Sequence, residues 1–404
     1  MRVLFLASYF PKPGIPLAGV WALEQAKALA EVVDLEVASC TPWVPGLLEW
    51  IDKARPWINV PATHQWDRVT VRYFKSLYYP VAPLNAWAYP DPSRQMALTW
   101  ASVRGRMLRM VERFRPHVLF CHHTAVSGYL ASRIHAITGL PYVITDHDYD
   151  EIATCVRLPG RRAFFEPILR QACRHLSVSS RMEADVRRIF PFVATETLHN
   201  GVNLPTSGAL AVPRPSELGN RLVIFSAGMF MERKGIPVLI EAFARVSDRY
   251  PEAILRIAGD GRNRSAIEEV IDRHRLRDRV FLLGRLPHLD ILREMAWADF
   301  FALVGWDEPF GVVYLEAMST GKPIVASTDS GIADIAQDGV HGLLVPPKDV
   351  DATARALDRL LGSPAERLEM GKNAEALVRD RLTWRANTDR LLQIFQLCQT
   401  GRSA

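Results

Sequence analysis

Cysteine is scarce in this sequence. Its 404 residues include five cysteines, Cys40, Cys121, Cys155, Cys173 and Cys398, which are widely separated and never form a Cys-x-x-Cys pair. An odd, scattered set of this kind predicts neither a disulfide framework nor a zinc site. The cytosol is the compartment that fits it best.

Long apolar runs are also missing. No stretch approaches the ~20 residues that a membrane-spanning helix needs. The apolar segment from Val3 to Phe10 is short and runs into Pro11 without a small-residue cleavage pattern. We therefore expect a buried first strand there instead of a signal peptide.

Several enzyme motifs are absent. The sequence has no Gly-x-Ser-x-Gly elbow, Walker loop or kinase motif set. The segment Ala258-Gly259-Asp260-Gly261 is not a dinucleotide fingerprint, because Arg264 stands in place of the last glycine, which disfavours nicotinamide and flavin enzymes. No helix-spaced histidine pair of the His-Glu-x-x-His kind appears either, so no metal and no cofactor are expected.

An excess of charge of one sign is lacking as well. Lys and Arg number 49 against 44 Asp and Glu, which gives a net charge of +5. This balance does not predict nucleic acid as a partner. It is compatible with an anionic ligand or an anionic membrane surface.

The sequence does contain a regular alternation of short apolar runs with helical patterns, which is typical of parallel sheets with crossover helices. We expect two similar α/β domains, with a site in the cleft between them beyond the carboxyl ends of the strands. The predicted strands are Val3–Ser8, Leu35–Ser39, His117–Cys121, Tyr142–Thr145, His175–Ser179, Glu196–His199, Arg221–Ala227, Ile254–Ala258, Val280–Leu283, Asp299–Val304, Pro323–Ala326 and Leu343–Val345.

The domain boundaries follow from a stretch rich in proline, serine and glycine that lacks apolar periodicity. We place a linker at residues 206–220, between an N-terminal domain of residues 1–205 and a C-terminal domain of residues 221–380. Residues 381–404 read as a helix that could pack back on the first domain.

Residues of about 41–110 stand apart as an aromatic-rich, proline-rich and basic insertion. One interpretation is that its aromatic side chains contact sugars or lipid headgroups, and the other is that they pack on one another in an irregular segment. The aromatic residues include Trp43, Trp50, Trp57, Trp66, Trp87, Trp100, Tyr73, Phe74, Tyr78, Tyr79 and Tyr89, and the basic ones include Arg55, Arg68, Arg72, Lys75, Arg94 and those from Arg104 through Arg115.

The most informative stretch is Trp306 to Met318. Glu308-Pro309-Phe310-Gly311 predicts a turn into a helix whose first amides form an anion site. Glu308 lies just before that helix and Glu316 two turns into it. This spacing suits hydroxyl groups at both ends of a ligand with a diphosphate between them, or it is simply a solvated helix face.

Other candidate ligand-binding groups follow predicted strands. Arg233 and Lys234 lie in a strand-to-helix loop, where they could neutralise a diphosphate or form an ordinary surface pair. His147 ends a first-domain strand, as do His122 and His123, and a histidine there could bind a ligand hydroxyl or make a structural hydrogen bond. Gly19 closes a glycine-bounded loop that allows close backbone approach to a ligand, or forms a plain turn.

Together these segments resemble the retaining, nucleotide-sugar-dependent glycosyltransferases of family 4, which have the GT-B fold. The stretch from Glu308 to Glu316 resembles the E-x7-E motif of that family, and Gly228 through Gly235 resembles its phosphate-binding loop. The segments His199–Asn203 and Ala258–Gly261 resemble further family motifs. The matches are in the right order and cover most of the chain outside residues 40–110.

The resemblance implies a role for each candidate residue. Glu308 would bind donor-sugar hydroxyls and Glu316 the ribose, while Lys234 and the amides of Phe310, Gly311 and Val312 would bind the diphosphate. His147 would contact the donor sugar and the reacting centre, and Gly19 would lie near the phosphates and the acceptor. Arg285 and Leu286 would lie near the base.

One departure from the family pattern concerns Met229, where the family usually has arginine. We hypothesise that Arg233 supplies that charge; the alternative is weak or lost catalysis in a nucleotide-sugar-binding protein. The expected reaction is metal-independent transfer, with retention, from a nucleoside-diphosphate sugar to a glycan or lipid-linked acceptor in envelope glycan assembly. Expected localisation is cytoplasmic, with peripheral contact to the inner face of the membrane. A phosphorylase and a sugar-nucleotide epimerase share this architecture and remain alternatives.

Overall fold

The computed structural model describes residues 1–52, 54–77, 86–205, 208 and 210–400. Tyr78, Tyr79, part of the predicted linker and the last four residues of the predicted C-terminal helix segment lie outside the described residues. The chain divides into two compact units. One comprises Met1–His199 with Trp384–Ala404, and the other Asn200–Thr383.

The first unit is built on an eight-stranded sheet in the order β3-β4-β2-β1-β5-β6-β7-β8. All neighbours pair in parallel except the antiparallel edge pair β3–β4. The strands are β1 Arg2–Ala7, β2 Asp34–Pro42, β3 Thr63–Trp66, β4 Val69–Ser76, β5 Val118–His122, β6 Tyr142–Asp146, β7 Arg174–Ser177 and β8 Thr195–Thr197. Its helices are α1 Val20–Ala30, α2 Arg55–Ile58, α3 Ser93–Phe114, α4 Tyr129–Thr138, α5 Tyr149–Ala153, α6 Pro159–Gln171 and α7 Ser180–Ile189.

The second unit has a six-stranded parallel sheet in the order β11-β10-β9-β12-β13-β14. Its strands are β9 Leu222–Ala227, β10 Ala253–Ala258, β11 Val280–Gly284, β12 Phe300–Leu303, β13 Ile324–Ser327 and β14 Gly342–Val345. Its helices are α8 Ile236–Ser247, α9 Arg264–Arg273, α10 His288–Trp297, α11 Val312–Ser319, α12 Val350–Gly362 and α13 Pro364–Arg381. The two parallel α/β sheets confirm the predicted fold class.

Both faces of the first sheet are covered, which is why its central strands are almost continuously apolar. In β1, Leu4 and Leu6 belong to one buried cluster, whereas Val3 and Phe5 belong to the cluster on the other face. This period of two is the geometry of a strand. Every predicted strand is present, with ends that differ by up to three residues.

The region 41–110 is more regular than expected. Strand β4 pairs in parallel with β2 and extends the sheet, because Val69, Val71 and Tyr73 alternate into the core. Trp100 is buried with α3. Trp43 and Trp50 are 50% and 76% exposed, so the aromatic residues of this region divide between core and surface.

Helix α14, Trp384–Thr400, belongs to the first unit and packs against α1. It carries Cys398, which forms a disulfide with Cys173 across a sequence separation of 225 residues. The expectation of no disulfide was therefore wrong. Spacing along the chain does not reveal a pair that meets only because the last helix returns to the first unit. None of the helices in the described ranges is long and apolar enough to cross a membrane.

Candidate active site

In the second unit, the loop after β9 is shaped by close contacts with the end of β10. A Cβ atom on Gly259 would lie 2.0 Å from the carbonyl oxygen of Gly228, so a side chain does not fit there. The amide of Gly228 donates to Ala258 O, and that of Phe230 to Asp260 O, both at 3.0 Å. The Ala258–Gly261 segment thus holds the loop after β9, Gly228–Gly235, in place.

The same loop also packs directly on the end of β12. Gly235 has φ +66°, and a Cβ atom there would lie 2.4 Å from Val304 O. A Cβ atom on Gly305 would lie 2.7 Å from Arg233 O, and the amide of Trp306 donates to that oxygen at 2.8 Å. These backbone contacts bring the basic residues of the loop to the segment that follows β12.

The carboxylate of Glu308 is where the two segments meet. Lys234 Nζ lies 2.5 Å and Arg233 Nη1 3.4 Å from the same oxygen, Oε2. Arg233 also donates to the carbonyl oxygen of Asp307 at 3.1 Å. Because Glu308 is buried, these ion pairs are poorly screened by water. The structure thus brings together three of the residues predicted from the sequence.

The predicted turn and helix start are also present. Gly311 has φ +84° and a Cβ atom there would lie 2.6 Å from the ring of Tyr314, which itself bonds Leu303 O on β12. Helix α11 begins at Val312, so the amides of Val312 and Val313 have no carbonyl within the helix to accept them. Phe310, two residues before the helix, is buried.

Glu316 lies little more than one turn into α11, since the helix begins later than the sequence suggested. Its Oε1 is 2.9 Å from His288 Nε2 at the start of α10. Arg285, in the loop between β11 and α10, is 76% exposed and lies 3.9 Å from Asp260, and Leu286 follows it in the same loop. Met229 is 62% exposed.

In the first unit, three histidines cluster at the ends of β5 and β6. The ring centroid of His147 lies 4.5 Å from that of His122 and 5.6 Å from that of His123. His147 is 8% exposed, and neither of its ring nitrogens has a hydrogen-bond partner among the described residues. Burial, with the nearby charge of His123, lowers the pKa of His147 to about 3. His147 is therefore neutral near pH 7 and can accept or donate one hydrogen bond to a ligand.

His123 is the charged member of the cluster. It has φ +70°, and its Nδ1 lies 3.4 Å from Glu151 Oε2. Burial alone would lower the pKa of His123, but Glu151, with Asp148 and Asp146, raises it to about 9. Glu151 also accepts the amide of Ala125 at 2.6 Å.

Asp146 completes this buried network. It accepts hydrogen bonds from the amide and hydroxyl of Thr124, each at 2.8 Å, and from His175 Nε2 at 2.8 Å. Ligand-type atoms of His123, Asp146 and Glu151 all lie within 4.8 Å of one another. A metal ion there would have to displace hydrogen bonds that the protein already makes.

A series of hydrogen bonds between buried polar side chains extends from the histidine cluster, starting at His122. His122 Nε2 and Gln25 Oε1 are 2.7 Å apart, Gln25 Nε2 donates to Asn387 Oδ1 at 2.7 Å, and Asn387 Nδ2 donates to His199 O at 2.8 Å. Since Gln25 Oε1 can only accept, His122 carries its proton on Nε2. Gln25 and Asn387 come from α1 and α14 and lie in no local motif, so neither was predicted from the sequence.

Gly19 has a clear structural reason to be glycine. It caps the start of α1 with φ +73°, and a Cβ atom there would lie 2.3 Å from Tyr9 O. The Tyr9 ring stacks on Trp21, which in turn lies 5.9 Å from the His147 ring. The glycine therefore lets the β1–α1 loop fold down beside the histidine cluster.

A cavity of about 190 Å³ adjoins Glu151 in the first unit. Arg161 and Gln95, both buried, line it together with Tyr89. Arg161 donates to backbone oxygens of Glu151 and Tyr89 at 3.4 and 3.3 Å. A carboxylate, a guanidinium, an amide and an aromatic ring are together suited to a polyhydroxyl ligand.

Two family models match the chain along most of its length. The model described as glycosyl transferases group 1 matches residues 213–377, and the one described as glycosyltransferase family 4 matches residues 18–205. Among solved structures, a sucrose-phosphate synthase from Thermosynechococcus elongatus superposes with a TM-score of 0.78 at 21% identity, covering 100% of both chains. An Anabaena protein in complex with UDP and glucose gives a TM-score of 0.70 at 19% identity, covering 98% of this chain and 99% of that one.

Sequence relatives agree. The chain is 27% identical to an alpha-D-kanosaminyltransferase of Streptomyces kanamyceticus, over 78% of this chain and 83% of the relative. It is 34% identical to a GDP-mannose-dependent monoacylated alpha-(1-6)-phosphatidylinositol monomannoside mannosyltransferase of Corynebacterium glutamicum, over 43% of this chain and 47% of the relative. The fold and these matches define a glycosyltransferase of the GT-B type. The chain belongs to the group 1, family 4 glycosyltransferases, and as such it is a hexosyltransferase-type enzyme.

Proposed function

We propose that this enzyme transfers a sugar, with retention, from a nucleoside-diphosphate donor to an acceptor hydroxyl, and that it needs no metal. The observation that carries the donor assignment is the convergence of Lys234 and Arg233 on Glu308 Oε2, at 2.5 and 3.4 Å. Two cations beside one carboxylate leave a net positive charge next to the start of α11. A diphosphate would be bound there while Glu308 takes hydroxyls of the donor sugar.

In the transfer step, the bond from the anomeric carbon to the leaving diphosphate breaks, and a bond to the acceptor oxygen forms on the same face. The acceptor proton passes to the departing phosphate oxygen. Lys234, Arg233 and the amides of Val312 and Val313 stabilise the charge that develops on the diphosphate. Glu308 orients the donor and does not attack it, so no adduct on Glu308 should be trapped.

The remaining roles follow from the same model. Glu316 would bind the ribose, and the loop at Arg285 and Leu286 would bind the base. These two roles are compatible because His288, which follows that loop, contacts Glu316. His147 would contact the donor sugar from the first unit. The acceptor would bind in that unit at the cavity lined by Glu151, Arg161 and Gln95.

We further propose that the acceptor is a glycan or lipid-linked glycan and that the enzyme works in the cytoplasm, on the inner face of the membrane. The exposed Trp43 and Trp50 support contact with a lipid headgroup region. Flotation with anionic liposomes tests this. Absence of binding, or binding that survives removal of both tryptophans, would contradict it.

The decisive experiment is a thermal-shift panel of UDP, GDP, ADP, CDP and TDP on the wild type and on Lys234→Ala. UDP and GDP deserve first place because UDP is bound by a structural neighbour and GDP-mannose is named for a relative. A ligand at 100 times its dissociation constant stabilises the folded state by about 2.7 kcal/mol. A shift with one nucleotide that disappears in the variant would identify the base. No shift with any nucleotide would refute the donor site.

A further inference from the structure

A second cavity of the first unit lies where α3 packs against β4, near the β3–β4 edge of the sheet. Its volume is about 310 Å³. Four of its lining residues are arginines, namely Arg72, Arg106, Arg109 and Arg113. Tyr73, Phe74 and Met110 also line it.

The sequence of α3 places three of these arginines on one helix face. Arg106, Arg109 and Arg113 are spaced i, i+3 and i+7, which aligns side chains along a helix. A neighbouring face of α3, with Met107 and Met110, packs into the core, and Met110 also lines the cavity. The arginine face is therefore fixed in direction by the burial of the face beside it.

The positive charge of the cavity is not balanced by its surroundings. Glu36 pairs with both Arg72, at 3.2 Å, and Arg113, at 2.6 Å. Arg106 donates to two backbone oxygens, Lys75 O at 2.6 Å and Ser102 O at 3.1 Å. Among the described residues, one carboxylate therefore pairs with two of the four guanidinium groups.

Arg109 makes no hydrogen bond or ion pair with any residue in the described part of the chain. Four like charges around one concave surface repel one another and raise the local concentration of anions. Guanidinium groups match the geometry of phosphate oxygens in particular.

We propose that this cavity is a binding site for a phosphate-bearing ligand, with the phosphate held by Arg106 and Arg109 and an adjoining apolar portion resting on Phe74 and Met110. The phosphate could belong to a lipid headgroup or to a soluble phosphate ester. The site is separate from the donor residues and does not depend on the transfer reaction.

The test compares Arg106→Gln/Arg109→Gln with Arg104→Gln, which removes an exposed arginine from the same helix that does not line the cavity. All are made in a Lys234→Ala background so that phosphate binding at the donor residues contributes little. Glycerol 3-phosphate is titrated by calorimetry, and co-sedimentation is measured with phosphatidylglycerol-containing and pure phosphatidylcholine vesicles. Circular dichroism melting checks that each variant is folded.

We expect the double variant to bind at least tenfold more weakly than its parent, and Arg104→Gln to bind like the parent. Loss confined to vesicles identifies a lipid headgroup, and loss with glycerol 3-phosphate identifies a soluble ester. Three results would overturn the proposal: no binding to either probe, unchanged binding by the double variant, or an equal loss in Arg104→Gln. None of these results bears on the nucleotide panel, so the two proposals fail separately.

Discussion

Lys234 Nζ lies 2.5 Å from Glu308 Oε2, although the two residues are 74 positions apart in the sequence. The contact exists because Gly235 and Gly305 let the loop after β9 lie against the end of β12. This contact joins the Gly228–Gly235 loop and the Glu308–Glu316 segment into one site within the second unit.

Lys234→Ala should lower kcat/KM by about 10² to 10³, because one preorganised group that stabilises the leaving diphosphate is lost. Lys372→Ala, an exposed lysine in the same unit, is the matched control and should leave the rate unchanged. The measurement is the initial rate of nucleotide release over a range of donor concentrations from below to above KM. Equal rates in both variants would remove Lys234 from the mechanism.

Arg233→Ala should weaken donor binding if Arg233 supplies the charge that Met229 does not. The guanidinium already lies 3.4 Å from Glu308, so its removal leaves one cation for carboxylate and diphosphate. Donor affinity is measured by calorimetry beside Arg262→Ala, an exposed arginine in the loop after β10. Unchanged affinity in Arg233→Ala, together with a strong loss in Lys234→Ala, would contradict this substitution of charge.

His147→Asn should abolish most transfer and also change the acid stability of the protein. The pKa of His147 falls from 6.5 to about 3 on burial, so below pH 6.5 the unfolded chain takes up a proton that the folded protein refuses. Stability is therefore lost as the pH falls from 6.5 towards 3. Melting curves between pH 7 and 4 should show a smaller loss for the variant, though not none, because burial also lowers the pKa of His122. An identical pH dependence would mean that His147 is not neutral and buried in the folded protein.

Gln25→Leu should destabilise the first unit by about 1 to 3 kcal/mol, because it leaves the His122 and Asn387 side chains without their shared partner. The change also removes the hydrogen bond between the Gln25 and Asn387 side chains, which connects α1 and α14. Asn387→Leu should cost a similar amount, and the double variant less than the sum of the two. Additive losses in this double-mutant cycle would show that the polar chain does not act as one unit.

Cys398→Ser should lower the melting temperature of the first unit. Loss of a native disulfide that closes a long loop costs about 2 to 5 kcal/mol, and this one spans 225 residues. Reduction of the wild type should reproduce the effect, whereas the variant should not respond to reductant. If the wild type purified under non-reducing conditions keeps five free thiols, Cys173 and Cys398 are not bonded in solution.

Much of the fold could be predicted because hydrophobic periodicity is a local property. The strand predicted at Arg221–Ala227, for example, is found at Leu222–Ala227. Strand β3 was missed because it is a polar edge strand, Thr63 to Trp66, with an exposed and intermediate pattern. Strand β4 was missed because the prolines and tryptophans around it suggested an irregular insertion.

The residues proposed for the donor site were also recognisable in the sequence, since Lys234, Glu308 and Glu316 lie in ordered motifs with fixed spacing. The environment of the histidines could not be predicted from the sequence. The sequence shows that His147 follows a strand, but its burial and its lack of a partner depend on Trp21, His122 and His123 packing around it.

By itself, then, the sequence determined the two parallel α/β sheets, the glycosyltransferase family and the motifs in which the proposed donor residues lie. Each of these depends on patterns within a few tens of residues. Only the tertiary structure decided which distant groups meet: Gln25 with Asn387, Cys173 with Cys398, and Arg72 with the arginine face of α3. Such contacts depend on how the helices pack on the sheet. They cannot be predicted from the spacing or the type of nearby residues along the chain.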